Sequence, residues 1–226
     1  FTGALTLTHN ATSLILPGAA NITTANGDCA VLRSLGSGNW KCIFYMPASG
    51  YASDSTTRLE TIWVPSGAMI SRTTNGAALG SVELTTSGDI MLKTLDFDTT
   101  TEEGAQFNIA MPKSWDEGTV AATFYWTAAS GSGTVAFGLR GVSMSNDDPM
   151  DTTEMGTGQT GSDTLITAND LHVSPPTSAI TIGGTPAVDD LTFFEVYRDV
   201  ANDTLGVDAK LIGVKVTYTI NTLTDA

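Results

Sequence analysis

Cysteine is almost missing from this chain. Only Cys29 and Cys42 occur, too few for the disulfide framework of a small secreted scaffold. With only two histidines beside them, they offer no zinc spacing either. Positive charge is also scarce: ten Lys and Arg stand against 24 Asp and Glu, a net charge of −14. Phosphate backbones are held by clustered cations, so this balance excludes nucleic acid as a partner. No apolar run reaches the length of a membrane span, which predicts a soluble chain without membrane insertion. Helical periodicity is nearly absent. So is a strand–Gly-x-Ser-x-Gly–helix elbow, and His9 and His172 lie among turn residues and beside prolines. Catalytic residues are therefore not expected.

What the chain does have is apolar alternation with period two, punctuated by Gly, Thr, Ser and Asn. TVAATFYWT (119–127) puts Val120, Ala122, Phe124 and Trp126 on one face and Thr123 and Thr127 on the other. Val135, Phe137 and Leu139 share a face, as do Ala105, Phe107, Ile109 and Met111. The final strand groups Ile212, Val214, Val216, Tyr218 and Ile220 against Lys215 and Thr217. Half-buried strands of this kind belong to an antiparallel sandwich. The fold class is all-β: an antiparallel, jelly-roll-like β-sandwich preceded by a small β module.

The grain of the chain changes near residue 57. Residues 1–57 form short strands near 5–8, 13–16, 29–35 and 40–45. SGYASDSTT then reads as a boundary. Residues 58–226 hold eight longer strands, near 60–64, 81–85, 89–96, 105–111, 119–128, 134–145, 191–200 and 211–220, a number that fits a jelly roll. The apolar-poor insert 146–170 reads as a surface loop. A unit of 57 residues is too small to be comfortably stable alone. It is expected to gain a core by association, with Leu5, Leu7, Leu14 and Leu16 suited to a symmetric oligomer.

The two cysteines sit in CAVLRSL and WKCIFYM, which flank the tight connector GSGN, a hairpin signal. If Leu35 faces Trp40, Cys42 lies opposite Arg33 and Cys29 opposite Met46. The sulfurs are then about 13 Å apart along the strands. That exceeds the Cα separation of about 7 Å a disulfide tolerates, so both thiols are expected free.

Three kinds of site are conceivable. Asp199, Asn202, Asp203 and Asp208 place four oxygen donors within ten residues, a possible calcium loop since that ion takes six to eight oxygens. Solvated acidic loops are the plainer reading. The aromatics Trp63, Trp115, Trp126, Tyr125 and Tyr197 are able to stack on sugars. Trp126 falls in phase with core residues, whereas Trp115, in PKSWDEG, lies between strands and is the better exposed candidate, although a Trp plugging a corner is the plainer reading. Asp147, Asp148 and Asp151 in the insert join it as candidate receptor or glycan contacts. A pair of carboxylates such as Asp96 and Asp98 is the remaining way to picture a glycan hydrolase.

LTLTHNATSLILPGAANITTANGD, followed by GSGNWKCIFYMPASG, resembles a module of tailed-bacteriophage virion proteins. That module is found where a fibre shaft passes into a C-terminal globular domain. IWVPSGAM, LDFD, QFNIAMPKSWDEGTV, FYW, NDLHVSP, AITIGGTPA, FEVYRDV and DAKLIGVKVTY are similar to further phage and prophage proteins of the tail or virion type. The resemblance implies a virion component assembled in the bacterial cytoplasm. It also implies a homotrimer associated with other virion proteins, where free thiols are normal. The function it implies is a tail-fibre or receptor-binding protein that attaches to a bacterial surface glycan or protein. The chief sites of attachment would be the loops Asn146–Asp170 and Gly183–Asp190. Capsid decoration as a head spike and a tail-associated glycan hydrolase are the alternatives. The chain opens on Phe1 rather than Met, as expected of a piece of a longer protein.

Overall fold

In the computed structural model, residues 1–48, 58–84, 89–151 and 153–221 are described. The boundary stretch SGYASDSTT lies outside them. The chain divides into two compact units, Phe1–Thr57 and Arg58–Ala226.

The first unit holds β1 (Thr6–Leu7), β2 (Leu14–Ile15), β3 (Ile22–Thr23), β4 (Cys29–Gly36) and β5 (Asn39–Met46). β1 pairs with β3, and β5 lies between β2 and β4. In the β4–β5 hairpin Cys29 does oppose Met46, but Cys42 opposes Leu32 rather than Arg33. The difference comes from two register irregularities, one between Val31 and Leu32 and one at the turn. A bulge adds one residue to one strand and shifts every later pair. Both thiols are free, Cys29 exposed and Cys42 buried. Leu16, Cys42 and Tyr45 form the buried core, with Leu7, Leu14, Ile22 and Ala30 packed against it. Leu5 stays exposed.

The second unit holds β6 (Arg58–Pro65), β7 (Ile70–Ser71), β8 (Ala78–Leu84), β9 (Ile90–Phe97), β10 (Gly104–Ala110), β11 (Trp115–Thr127), β12 (Gly133–Met144), β13 (Gln159–Leu165), β14 (His172–Val173), β15 (Leu191–Arg198) and β16 (Ala209–Ile220). Two antiparallel sheets form the sandwich. One runs β13-β12-β15-β10-β7, and the other runs β14-β11-β16-β9-β8 with β6 also on β16. Between them Phe137 is the hub, with ring centroids 5.4 Å from Phe97, 5.5 Å from Phe124 and 6.4 Å from Trp126. The alternation of β11 is realised in full, with Val120, Ala122, Phe124 and Trp126 all buried in this core.

Two expectations are corrected. The insert 146–170 is not all loop, because Gln159–Leu165 pairs along β12 as an edge strand. Its residues are mostly small and polar, so no apolar alternation announces it. On β16, Ile212 does not share the core face. Tyr125 pairs with Gly213 and Trp126 with Leu211, leaving Ile212 as the extra residue of a bulge. Leu211 takes the core position instead.

Candidate functional site

The outward face of the second sheet forms a cleft of about 660 Å³, within the size range of small-molecule sites. Strand alternation builds it. On β6, Val64 turns to the core while Thr61 and Trp63 turn out. On β11, Phe124 and Trp126 turn in while Tyr125 and Thr127 turn out. Val82 and Leu84 of β8, with Ile90 and Leu92 of β9, make an aliphatic wall. The bulge on β16 delivers Ile212 to the same hollow, beside Lys210 and Lys215. Asn169, Asp170 and Leu171 close another side.

Trp63 dominates this surface. It is 47% exposed despite its size and meets Tyr125 edge to face, with centroids 4.9 Å apart and planes at 82°. Such pairs contribute about 0.5–1.5 kcal/mol beyond area burial. The indole lies over Gly213, where an added Cβ would come 2.5 Å from its ring carbons. A glycine there is what lets the ring settle onto the sheet. Thr127 supplies the polar irregularity: its Oγ1 is buried with no hydrogen-bond partner among the described residues, in a residue that lines the cleft. A buried hydroxyl left unpaired costs about 1–3 kcal/mol. Lys210 is ion-paired with Asp96, whose Oδ1 also accepts from Thr94 Oγ1 at 2.7 Å.

The residues singled out from sequence fall elsewhere. Trp115 is fully buried in the core, not exposed. Its backbone N–H closes a turn onto Pro112 O at 2.9 Å, and this turn swings the indole inward at the start of β11. It presents nothing to a glycan. Asp147, Asp148 and Asp151 are exposed in the β12–β13 connection, outside the cleft lining. Asp148 is engaged by the Ser145 amide at 2.9 Å.

The proposed calcium quartet is dispersed. Asp203 forms a two-point pair with buried Arg198, Nε to Oδ2 and Nη2 to Oδ1, both at 2.8 Å. Asp199 instead accepts from the Ala201 amide and from Asn202 Nδ2. Asp208 is exposed. Among the described residues no group of three or more His, Cys, Asp and Glu side chains is gathered for a metal. Asp203, committed to Arg198, is not free to serve as a donor of a calcium loop.

Asp96 and Asp98 do not form a hydrolytic pair. Asp96 is neutralised by Lys210. Asp98 is held below the usual carboxylate range, first by the Thr100 hydroxyl and then by the neighbouring amides. A general acid needs its pKa raised, not lowered. His9 Nδ1 accepts from the Leu16 amide at 3.2 Å. His172 is buried, with Nε2 3.0 Å from Thr167 O. Both histidines are structural. Among the described residues no helix is long and apolar enough to cross a membrane.

No protein-family model matches the chain, and no curated protein does. Among solved structures with some likeness are carbohydrate-binding modules. A family 11 module from Clostridium thermocellum, in complex with a β-1,3-1,4-mixed-linked tetrasaccharide, is 10% identical. The match covers 69% of this chain and 94% of that one, at TM-score 0.41. A CBM35 from Cellvibrio japonicus Abf62 is 9% identical, over 72% of this chain and 99% of that one, at 0.41. The CBM22-2 xylan-binding domain of Paenibacillus barcinonensis Xyn10C is 16% identical, over 68% and 92%, at 0.42. At such identities and scores the likeness stops at the β-sandwich.

Proposed function

We propose that this chain is a non-enzymatic adhesive component of a bacteriophage virion, a homotrimer whose β-sandwich binds a saccharide of the bacterial surface in the cleft of its second sheet. The observation that carries the binding site is the exposed Trp63 indole, seated on Gly213 and braced by Tyr125 at the mouth of an apolar cleft. A flat ring with one face open suits the apolar C–H face of a pyranose. Asn169, Asp170 and Lys215 at the cleft wall supply the few placed polar groups that orient a ligand. The virion setting is supported by the phage-like stretches of both units. Many copies on one particle turn weak single-site contacts into avidity.

Titration calorimetry of the purified protein against host surface polysaccharide tests the reading. Saturable binding is expected, with Trp63→Ala lowering affinity at least tenfold and Gly213→Ala lowering it by displacing the ring. An absence of binding by the unmodified protein overturns the saccharide site. Binding unchanged in Trp63→Ala moves the site out of this cleft.

A further inference from the structure

The first unit leaves its longest element uncovered. Across β4 and β5, Val31, Leu32, Leu35, Trp40, Ile43, Phe44 and Met46 are 37–56% exposed. The seven fall on both faces of the hairpin, yet the face away from Cys42 still carries several exposed apolar side chains together rather than the scattered single ones normal on a surface. Register assigns the faces. Cys29 pairs with Met46 and Val31 with Phe44, while Leu32 pairs with buried Cys42. Cys29, Val31, Phe44 and Met46 therefore share the side turned away from the small core. β4 also has no strand partner beyond β5 among the described residues, which leaves an open backbone edge of the kind other chains pair with.

Charge selects the occupant. Residues 1–57 carry Arg33 and Lys41 against Asp28 and Asp54, a net of zero, so the whole −14 falls on residues 58–226. Copies of the second unit repel one another, and the first unit is where copies can meet without that cost. Arg33 and Lys41 oppose each other toward the turn, at the far end of the hairpin from Cys29 and Met46. The charged end makes a polar rim and the other end an apolar centre, the usual anatomy of an interface. Among the described residues the first unit's core has three buried hydrophobic side chains, too little for a unit of this size to rely on alone.

We infer that copies of this chain associate through the outward face of the β4–β5 hairpin, centred on Val31 and Phe44. This rests on the oligomer proposed above and locates its interface. Sedimentation velocity of the whole chain at micromolar concentration tests both. The unmodified chain is expected to run as an oligomer, and Val31→Glu with Phe44→Glu as a monomer. Leu79→Glu, at an exposed position of the second unit, is expected to leave the mass unchanged. Cys29 lies on the same face and is exposed, so a bismaleimide is expected to link copies through it in the unmodified chain and not in the double variant. Continued protection of buried Cys42 from thiol reagents shows that the variant's first unit is still folded. A monomeric unmodified chain overturns the oligomer and the interface together, and leaves the face to another protein. An oligomer that keeps its mass in the double variant overturns the interface alone.

Discussion

Asp28 is the residue on which the ends of the first unit converge. Its carboxylate accepts from the amides of Ala25 at 2.6 Å and Ala48 at 2.8 Å and from the Tyr45 hydroxyl. The Phe1 ammonium donates to its carbonyl at 2.9 Å. The Tyr45 hydrogen bond, followed by the two amides, holds the Asp28 carboxyl below its ordinary value. Burial, and then the same hydrogen bond, pushes Tyr45 up to about 12. The two shifts act at opposite ends of the pH scale. Asp28 is depressed when folded, so its contribution is complete above the unfolded value near ~4 and is lost as pH falls through the folded value. Tyr45 is raised when folded, so its contribution is complete below the unfolded value near ~10 and is lost as pH rises toward about 12. Urea titrations that follow exposure of buried Cys42 are expected to show a stability plateau between these limits, with a fall on each side. Tyr45→Phe should remove the alkaline fall. If the alkaline fall persists in that variant, Tyr45 is not its source. The same scale shows what sequence discloses about the site. In ETIWVP and TFYWT, Trp63 and Tyr125 stand out of phase with their core neighbours, and this marks both as outward-facing aromatics. That signal was legible. What no spacing showed was that separate strands bring them within 4.9 Å, or that Gly213 makes room for the indole. Trp115 follows the plainer of its two readings, a corner plug, because a turn and a strand start lie inside a polar-looking stretch.

At the scale of the element, β15 ends on a buried cation. Arg198 is fully buried, and its guanidinium reaches Asp203 twice and the carbonyls of Phe97, Val207 and Leu205. All five of its donors are thereby used, and the ends of β9, β15 and the chain entering β16 are tied to one group. Removing one partner of a buried pair leaves the other charge uncompensated, at about 3–5 kcal/mol, whereas replacing both is much cheaper. Arg198→Met and Asp203→Leu are each expected to lower the second unit's stability by that amount, and the double variant by less than their sum. Additive losses in chemical denaturation would show that the pair is not coupled. From sequence, Asp203 is read as a metal donor rather than as the partner of Arg198. The true partner lies five residues on, brought back by the short 3-10 turn Val200–Asn202. The long strands were legible because both their apolar phase and their length are local properties. Ile22–Thr23, Ile70–Ser71, Gln159–Leu165 and His172–Val173 were not. Each is held by partners distant in sequence, and three of the four are only two residues long.

The whole molecule joins two units of very unequal core. Among the described residues, twenty-eight buried ones form the main core of the sandwich, against Leu16, Cys42 and Tyr45 in the first unit. Hydrophobic stabilisation follows buried apolar area, so the two units differ widely in intrinsic stability. Association adds to that of the unit that carries the interface, because a partner that binds only the folded state raises its apparent stability with concentration. Scanning calorimetry of the full chain is therefore expected to resolve two transitions. The first, assigned by its loss in Tyr45→Ala, should move to higher temperature as protein concentration rises tenfold. The second, assigned by its downward shift in Arg198→Met, should stay in place. A first transition indifferent to concentration would mean that the exposed hairpin is not what joins the copies. A second transition that also moves would place part of the interface on the sandwich, where the negative charge of residues 58–226 would then have to be offset between neighbouring copies.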